Sequence, residues 1–204
     1  CVGKNKGKSN ETTDNEQARS EATSKYNKKI NRSGYLPETL FHNPNFVKEA
    51  PTIFPMLAKK YTDQRKKIKF PCGVSRKLDG CRCISRKTVE GNIVLTSRTN
   101  KEFNFINLVR EHLTTIISGH VLDGELYSHD IPFNKIISVV RQKSKPSPID
   151  HIMEYWIYDI CDPDQTYQDR MITLKELEKK YNDIYPFSKR VLKFVYYEIA
   201  RDDK

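Results

Sequence analysis

No stretch of the sequence approaches ~18 uninterrupted apolar residues, which excludes a membrane-spanning helix of ordinary composition. The start is polar and lysine-rich, with no apolar run, so it does not read as a signal peptide. C-x-x-C is absent, and the five cysteines, Cys1, Cys72, Cys81, Cys83 and Cys161, are odd in number. These features argue for reduced thiols in an intracellular protein, cytoplasmic or nuclear, and against a disulfide framework. Cys81 and Cys83 stand two apart and would share one face of a strand. His112, His120 and His129 are not grouped with them at ligand spacing, so structural thiols are expected rather than zinc. No internal repeat is visible. An initiating methionine is also missing: the chain runs from Cys1 to the charged Arg201-Asp202-Asp203-Lys204, as expected of a piece cut from a longer protein.

What is present is basic. The 204 residues carry 36 Lys plus Arg against 26 Asp plus Glu, a net charge of +10. That length allows one good core, or one domain plus part of another. Such a balance favours a polyanionic partner, nucleic acid above all. "KKYTDQRKKIK", from Lys59 to Lys69, sets its basic residues against the single Asp63. It fits a solvated turn and a phosphate-contacting surface equally well.

Residues 1–50 read as a basic N-terminal segment and linker. Thr13 and Glu16 form a capping box opening a helix with Ala18, Ala22, Tyr26 and Ile30 on a narrow stripe. Gly34 would end that helix, and Pro37, Pro44, Pro51 and Pro55 then punctuate the chain. Residues 51–204 mix strands and helices. Strands are expected over Cys72–Lys87 (broken at Asp79-Gly80), Ile93–Arg98, His120–Tyr127, Ile152–Ile160 and Arg190–Ile199. Helices are expected over Asn104–Ser118, Phe133–Gln142 and Gln168–Asn182. Strands and helices do not alternate regularly enough for a doubly wound sheet, so the expected class is α+β with largely antiparallel strands.

Four strings carry chemistry when taken in order. They are Lys77-Leu78-Asp79-Gly80-Cys81-Arg82, Ser97-Arg98, Asp123-Gly124-Glu125-Leu126 and Trp156-Ile157-Tyr158-Asp159. Ordinary residue usage produces the first string in about one chain in several hundred of this length, so it is specific, and Asp123-Gly124-Glu125-Leu126 is moderately so. Taken singly, Asp79-Gly80 and Asp123-Gly124 also fit hairpin turns, Trp156 and Tyr158 fit a core strand face, and Arg98 fits a surface position. Their order and spacing resemble the covalent nucleotidyltransferases, in particular the adenylation domain of ATP-dependent DNA ligases. "FPMLAKKY" (Phe54 to Tyr61) is similar to the segment that begins that domain. The resemblance covers roughly residues 51 to 200.

A lysine amine attacks a phosphate only when unprotonated, and its unperturbed pKa is about 10.4. Desolvation or neighbouring cations lower it, and Arg76, Arg82 and Arg98 are candidates for the cations. Gly80 permits a sharp turn beside a nucleotide, and phosphoryl transfer asks chiefly for charge neutralisation and in-line positioning. The resemblance implies an ATP-grasp-like fold and a monomer, a viral genome being one source. ATP with Mg2+ would be the cofactors and nicked double-stranded DNA the partner. It implies that Lys77 forms the lysyl–AMP and that Asp79 acts at the nick in the later sealing step. Arg82 would hold the ribose, Arg98 would contact a phosphate, Glu125 would accept from a ribose hydroxyl and Tyr158 would stack on adenine. The metal ligands are left open.

The chain departs from the pattern at Ser75, where ligases often carry a Glu or Gln that helps recognise adenine. An E-G string and a K-x-K string, expected downstream to supply a metal carboxylate and triphosphate-gripping lysines, do not occur before Lys204. The domain is therefore expected to be incomplete and weak or inactive in isolation. The first 35 residues resemble the tail of a small accessory domain, or a flexible DNA-contacting arm. The alternatives are an RNA ligase, an mRNA-capping guanylyltransferase with the same lysine chemistry on GTP, and a non-catalytic nucleic-acid-binding relative.

Overall fold

A computed structural model describes residues 1–33, 55 and 59–202. The chain divides into two units, Cys1–Phe54 and Pro55–Lys204. In the first unit, helix α1 spans Asp14–Ser33. It opens as its sequence requires: Glu16 Oε2 accepts the Thr13 N–H at 2.8 Å, and Thr13 Oγ1 accepts the Glu16 N–H at 3.3 Å. Ala22 and Tyr26 of the apolar stripe are exposed, and the buried side chain is Gln17. Gly34, the prolines 37, 44 and 51, and half of the "FPMLAKKY" string lie outside the described residues.

The second unit runs α2 (Tyr61–Gln64), β1 (Cys72–Val74), β2 (Cys81–Lys87), β3 (Ile93–Ser97), α3 (Asn107–Ile116) and β4 (Leu122–Tyr127). It continues with α4 (Phe133–Val140), β5 (Glu154–Ile160), α5 (Tyr167–Ile184), β6 (Leu192–Phe194) and β7 (Glu198–Ala200). Five strands form one sheet in the order β3-β2-β4-β5-β6, and β1 pairs with β7 in a separate two-stranded sheet. Every pairing is antiparallel except β5 with β6. This is the mixed, largely antiparallel α+β architecture that the sequence implies.

Alternation builds the core. Cys83 of β2, Leu122 and Leu126 of β4, and Tyr155 and Ile157 of β5 are buried on one face of the large sheet. They join Val109, Leu113 and Ile116 of α3 and Leu174, Leu177 and Tyr181 of α5, which recur at helical spacing. Each fully buried Leu or Ile contributes about 1.5–3 kcal/mol. The buried Tyr155 hydroxyl is shared between the carbonyls of Cys83 and Leu122, at 2.9 and 3.0 Å, and so ties β2 to β4 from beneath. The Thr166–Asp169 capping box starts α5. Near its far end, the Tyr181 hydroxyl accepts the N–H groups of Val191 and Leu192, at 2.9 and 3.2 Å. It therefore donates its own proton to His112 Nδ1, 2.7 Å away.

The segment expected to form one strand over Arg190–Ile199 forms two short ones. Leu192–Phe194 extends the large sheet and Glu198–Ala200 joins the small one, with Val195–Tyr197 passing between. Apolar β-branched composition marks the segment as extended but does not reveal that it changes sheets. Cys72–Lys87 behaves likewise, as β1 and β2 belong to different sheets and residues 75–80 bridge them.

Candidate functional site

Register across the large sheet assembles one row from four strands. Arg82 pairs with Glu125, Glu125 with Trp156, and Trp156 with Lys193. Directly paired residues share a face, and residues two apart on a strand return to it. Asp123 and Tyr127 therefore join this row on β4, and Glu154 on β5, on the face opposite the core.

Arg82 and Asp123 form a two-pronged pair. Arg82 Nε donates to Asp123 Oδ1 at 3.0 Å and Nη2 donates to Oδ2 at 2.5 Å. The Asp123 side chain is 7% exposed and that of Arg82 22%. Burial pushes the Asp123 carboxyl up, and the guanidinium opposes that rise. Asp123 thereby fixes the plane of the Arg82 fork. Burial also pushes the Glu125 carboxyl up to about 7, against the pull of Arg82, the Gly80 backbone hydrogen bond and the Lys77 ammonium. A carboxyl held near neutrality on an open face is the kind of group expected at a functional site.

Lys77 and Asp79 lie exposed on the bridge between β1 and β2. Gly80 presses that bridge onto β4. A Cβ placed there would sit 2.4 Å from the Leu126 carbonyl oxygen and 2.8 Å from Glu125 Cγ. Only glycine admits this approach, which is what brings the Lys77 loop beside Glu125. Gly124 is as tightly confined, its Cβ position lying 2.5 Å from the Trp156 carbonyl oxygen and 2.6 Å from Tyr155 Cε2. A β-bulge separates Asp123 from Gly124 in the pairing with β5 and leaves Tyr158 without a partner in register. The Tyr158 hydroxyl donates to the Gly124 carbonyl at 3.3 Å, and the Arg82 guanidinium lies 5.8 Å from its ring centre.

The structure thus brings Arg82, Glu125 and Tyr158 together with Asp123, and sets Lys77 beside them. Arg98 is exposed one residue beyond β3 and makes no hydrogen bond or ion pair among the described residues. No group of three or more His, Cys, Asp or Glu is placed to hold a metal ion among the described residues. The five cysteines are unpaired, and burial raises the Cys81 thiol to about 11. That agrees with structural thiols.

A cleft of about 440 Å³ opens along this face. Ser75 and Arg76 line it from the Lys77 loop, Trp156 from β5, Val195 and Tyr196 from the crossing between sheets, and Glu198 from the start of β7. Trp156 is framed on three sides. Its Nε1 donates to Glu154 Oε2 at 2.9 Å, Lys193 bridges Glu154 at 3.3 Å, and the rings of Tyr127 and His129 meet the indole edge-on. Sequence reasoning missed the Glu154–Trp156–Lys193 frame and Glu198. Only the period-two spacing of Glu154, Trp156 and Tyr158 hinted at the frame, and nothing local pointed to Glu198.

Among solved structures, the fold matches Pmar-Lig_PreS3 with a TM-score of 0.58 at 19% identity, covering 71% of this chain and 35% of that one. It matches a Lig E DNA ligase with a TM-score of 0.57 at 22% identity, covering 74% of this chain and 53% of that one. The chain shares its fold with part of these ligases.

Curated sequences narrow the kinship. The chain is 31% identical over 174 residues to the DNA ligase of an African swine fever virus isolate from a pig in Kenya, and 32% identical over 168 residues to that of a warthog isolate from Namibia. Each match covers 80% of this chain and 37% of the relative, so the chain spans well under half the length of the ligases it matches. No protein-family model matches it. By sequence and by fold, the chain is related to the DNA ligases.

Proposed function

We propose that this chain is the adenylating part of an ATP-dependent DNA ligase. The observation that carries the reading is the row Arg82–Glu125–Trp156–Lys193, with the Lys77 loop clamped onto it through Gly80. Lys77 in its neutral form attacks the α-phosphate of ATP. The bond from Nζ to phosphorus forms as the bond to the oxygen bridging to the β-phosphate breaks. Pyrophosphate leaves and the amine proton passes to solvent. Arg82, its fork set by Asp123, and Glu125 hold the ribose hydroxyls, while Arg98 and the exposed Arg76 meet phosphate. Tyr158 offers an aromatic face to the nucleotide.

In the next step the AMP passes from Lys77 to the 5'-phosphate at a nick in double-stranded DNA. The 3'-hydroxyl then attacks that phosphate and AMP departs, with Asp79 acting at the nick. Magnesium arrives as the salt of the nucleotide, and the protein works as a monomer. The test uses the natural protein that carries this chain, incubated with α-labelled ATP or GTP and then with nicked DNA or nicked RNA. Covalent label from ATP alone, stable in alkali and labile in acid as a phosphoramidate is, lost in Lys77→Ala and chased by nicked DNA, is expected. Label in Lys77→Ala, or labelling by GTP in place of ATP, refutes the reading.

A further inference from the structure

We infer that Arg170 is a positioning residue for the nucleotide site: by holding Asp159 it keeps the Arg82 fork on Asp123. The inference rests on the nucleotide reading above and deepens it by adding a residue from outside the four strings. Asp159 closes the string Trp156-Ile157-Tyr158-Asp159, yet it has no place in the row of Arg82, Glu125, Trp156 and Lys193.

The β-bulge is what brings Asp159 to the site. An unbroken strand would turn Tyr158 and Asp159 to opposite faces. Here Asp123 pairs with Asp159 and Gly124 with Ile157, so Tyr158 is the extra residue. Ile157 and Ile160 are both buried in the core, and the two residues between them turn to the site face together. Asp159 and its register partner Asp123 are then two carboxylates side by side. Burial chiefly raises the Asp123 carboxyl, and the Asp159 charge adds to the rise.

Arg170 answers the second carboxylate. It stands in the first turn of α5, whose start is fixed by the Thr166–Asp169 capping box. Its Nε donates to Asp159 Oδ1 at 2.7 Å and its Nη2 to Oδ2 at 3.1 Å, a second two-pronged pair beside that of Arg82 and Asp123. Nη1 donates to the Gln165 carbonyl at 2.9 Å, and the guanidinium lies 5.5 Å from the centre of the Tyr167 ring. One neighbour feels both pairs. Burial pushes the Cys161 thiol up to about 12, Asp123 and Asp159 push the same way, and Arg82 and Arg170 oppose them. Each carboxylate therefore has its own fork. Without Arg170, Asp159 keeps its charge beside Asp123 and competes for the Arg82 guanidinium. A planar fork meets one carboxylate at a time in two-pronged fashion, so an Arg82 drawn between two of them loses the orientation that the ribose contact needs.

The test uses the natural protein that carries this chain. Two readouts are taken: the rate of labelling from α-labelled ATP, and the NMR signal of the Arg82 Nε–H, identified by its loss in Arg82→Lys. Arg170→Met is expected to slow labelling about tenfold and to shift the Arg82 signal. Adding Asp159→Asn to Arg170→Met removes the competing charge, and should recover most of the rate and return the signal towards its wild-type position. Circular dichroism follows the fold of each variant. A residue that only anchors α5 is missing from the single and the double variant alike. No recovery on adding Asp159→Asn, folded or not, therefore refutes the positioning role. A wild-type labelling rate or an unmoved Arg82 signal in Arg170→Met refutes it too. Each of these results leaves the nucleotide reading standing, because the wild type still takes label at Lys77. Absence of label in the wild type refutes that reading and this inference with it.

Discussion

Removing Arg82 should unmask the cost of keeping Asp123 buried. The two side chains are 22% and 7% exposed and meet through two hydrogen bonds. Arg82→Ala leaves a carboxylate stranded beneath the sheet face. Breaking a buried pair from one side costs about 3–5 kcal/mol, and the partial exposure of Arg82 puts this case near the lower end, about 3 kcal/mol. With a urea slope of about 2 kcal/mol per molar, the unfolding midpoint should fall by about 1.5 M. Emission from Trp156, on the adjoining strand, follows the transition. The loss should also depend on pH. Without the guanidinium, burial and the nearby Asp159 act on Asp123 against the Tyr158 hydrogen bond alone, and its carboxyl rises further above the ordinary 3.8. An acid whose folded pKa exceeds its unfolded one stabilises the fold only while protonated, so stability falls as pH rises through the gap. Arg82→Ala should therefore lose less at pH 5 than at pH 8. A loss below about 1 kcal/mol, or one equal at both pH values, would refute the account of this pair.

Glu125→Gln should stabilise the fold by about 1–3 kcal/mol at pH 8 and have little effect at pH 4.5, because the carboxyl it replaces titrates near 7 when folded and 4.5 when unfolded. Denaturant melts at the two pH values check this, and the same variant should lose nucleotide affinity. Gly80→Ala should abolish Lys77 labelling while the chain stays folded, since its Cβ must displace either the Leu126 carbonyl or the loop. Circular dichroism beside the labelling assay separates the two effects. Burial holds the His112 imidazole below its ordinary 6.5, so acidification below about 6.5 should destabilise the wild type as this histidine is forced to charge. Tyr181→Phe, which takes away the proton donated to Nδ1 and the acceptor for two backbone N–H groups, should cost about 1–3 kcal/mol. It should also shift the histidine's titration in a proton NMR series.

Much of the fold was legible because it is local. Helical spacing of Val109, Leu113 and Ile116, the Thr13–Glu16 cap and the β-branched runs each announce an element from a few residues. The α+β class follows from their irregular order. What could not be read is which strands are neighbours. The Arg190–Ile199 stretch looks like one strand because each of its residues suits an extended chain. Its division between two sheets is decided by partners more than thirty residues away on β5 and more than a hundred away on β1.

The same distinction governs the site. Lys77, Arg82 and Glu125 are visible in sequence because their strings are short and their order is informative. Asp123 was legible only as a shaper of its strand, yet it holds Arg82 through a pairing that skips forty residues. Glu198 was invisible, since an isolated glutamate in a Tyr-Tyr-Glu-Ile run carries no signal until β1 and β7 are known to pair. Ser75 makes the point sharply. Read along the chain, it is a place where a base-recognising carboxylate or amide is missing. Read across the sheet, a carboxylate stands on the neighbouring strand beside it. Antiparallel pairing lets either of two strands supply a side chain to one cleft, so a motif with a gap at one position does not by itself mean a site with a gap.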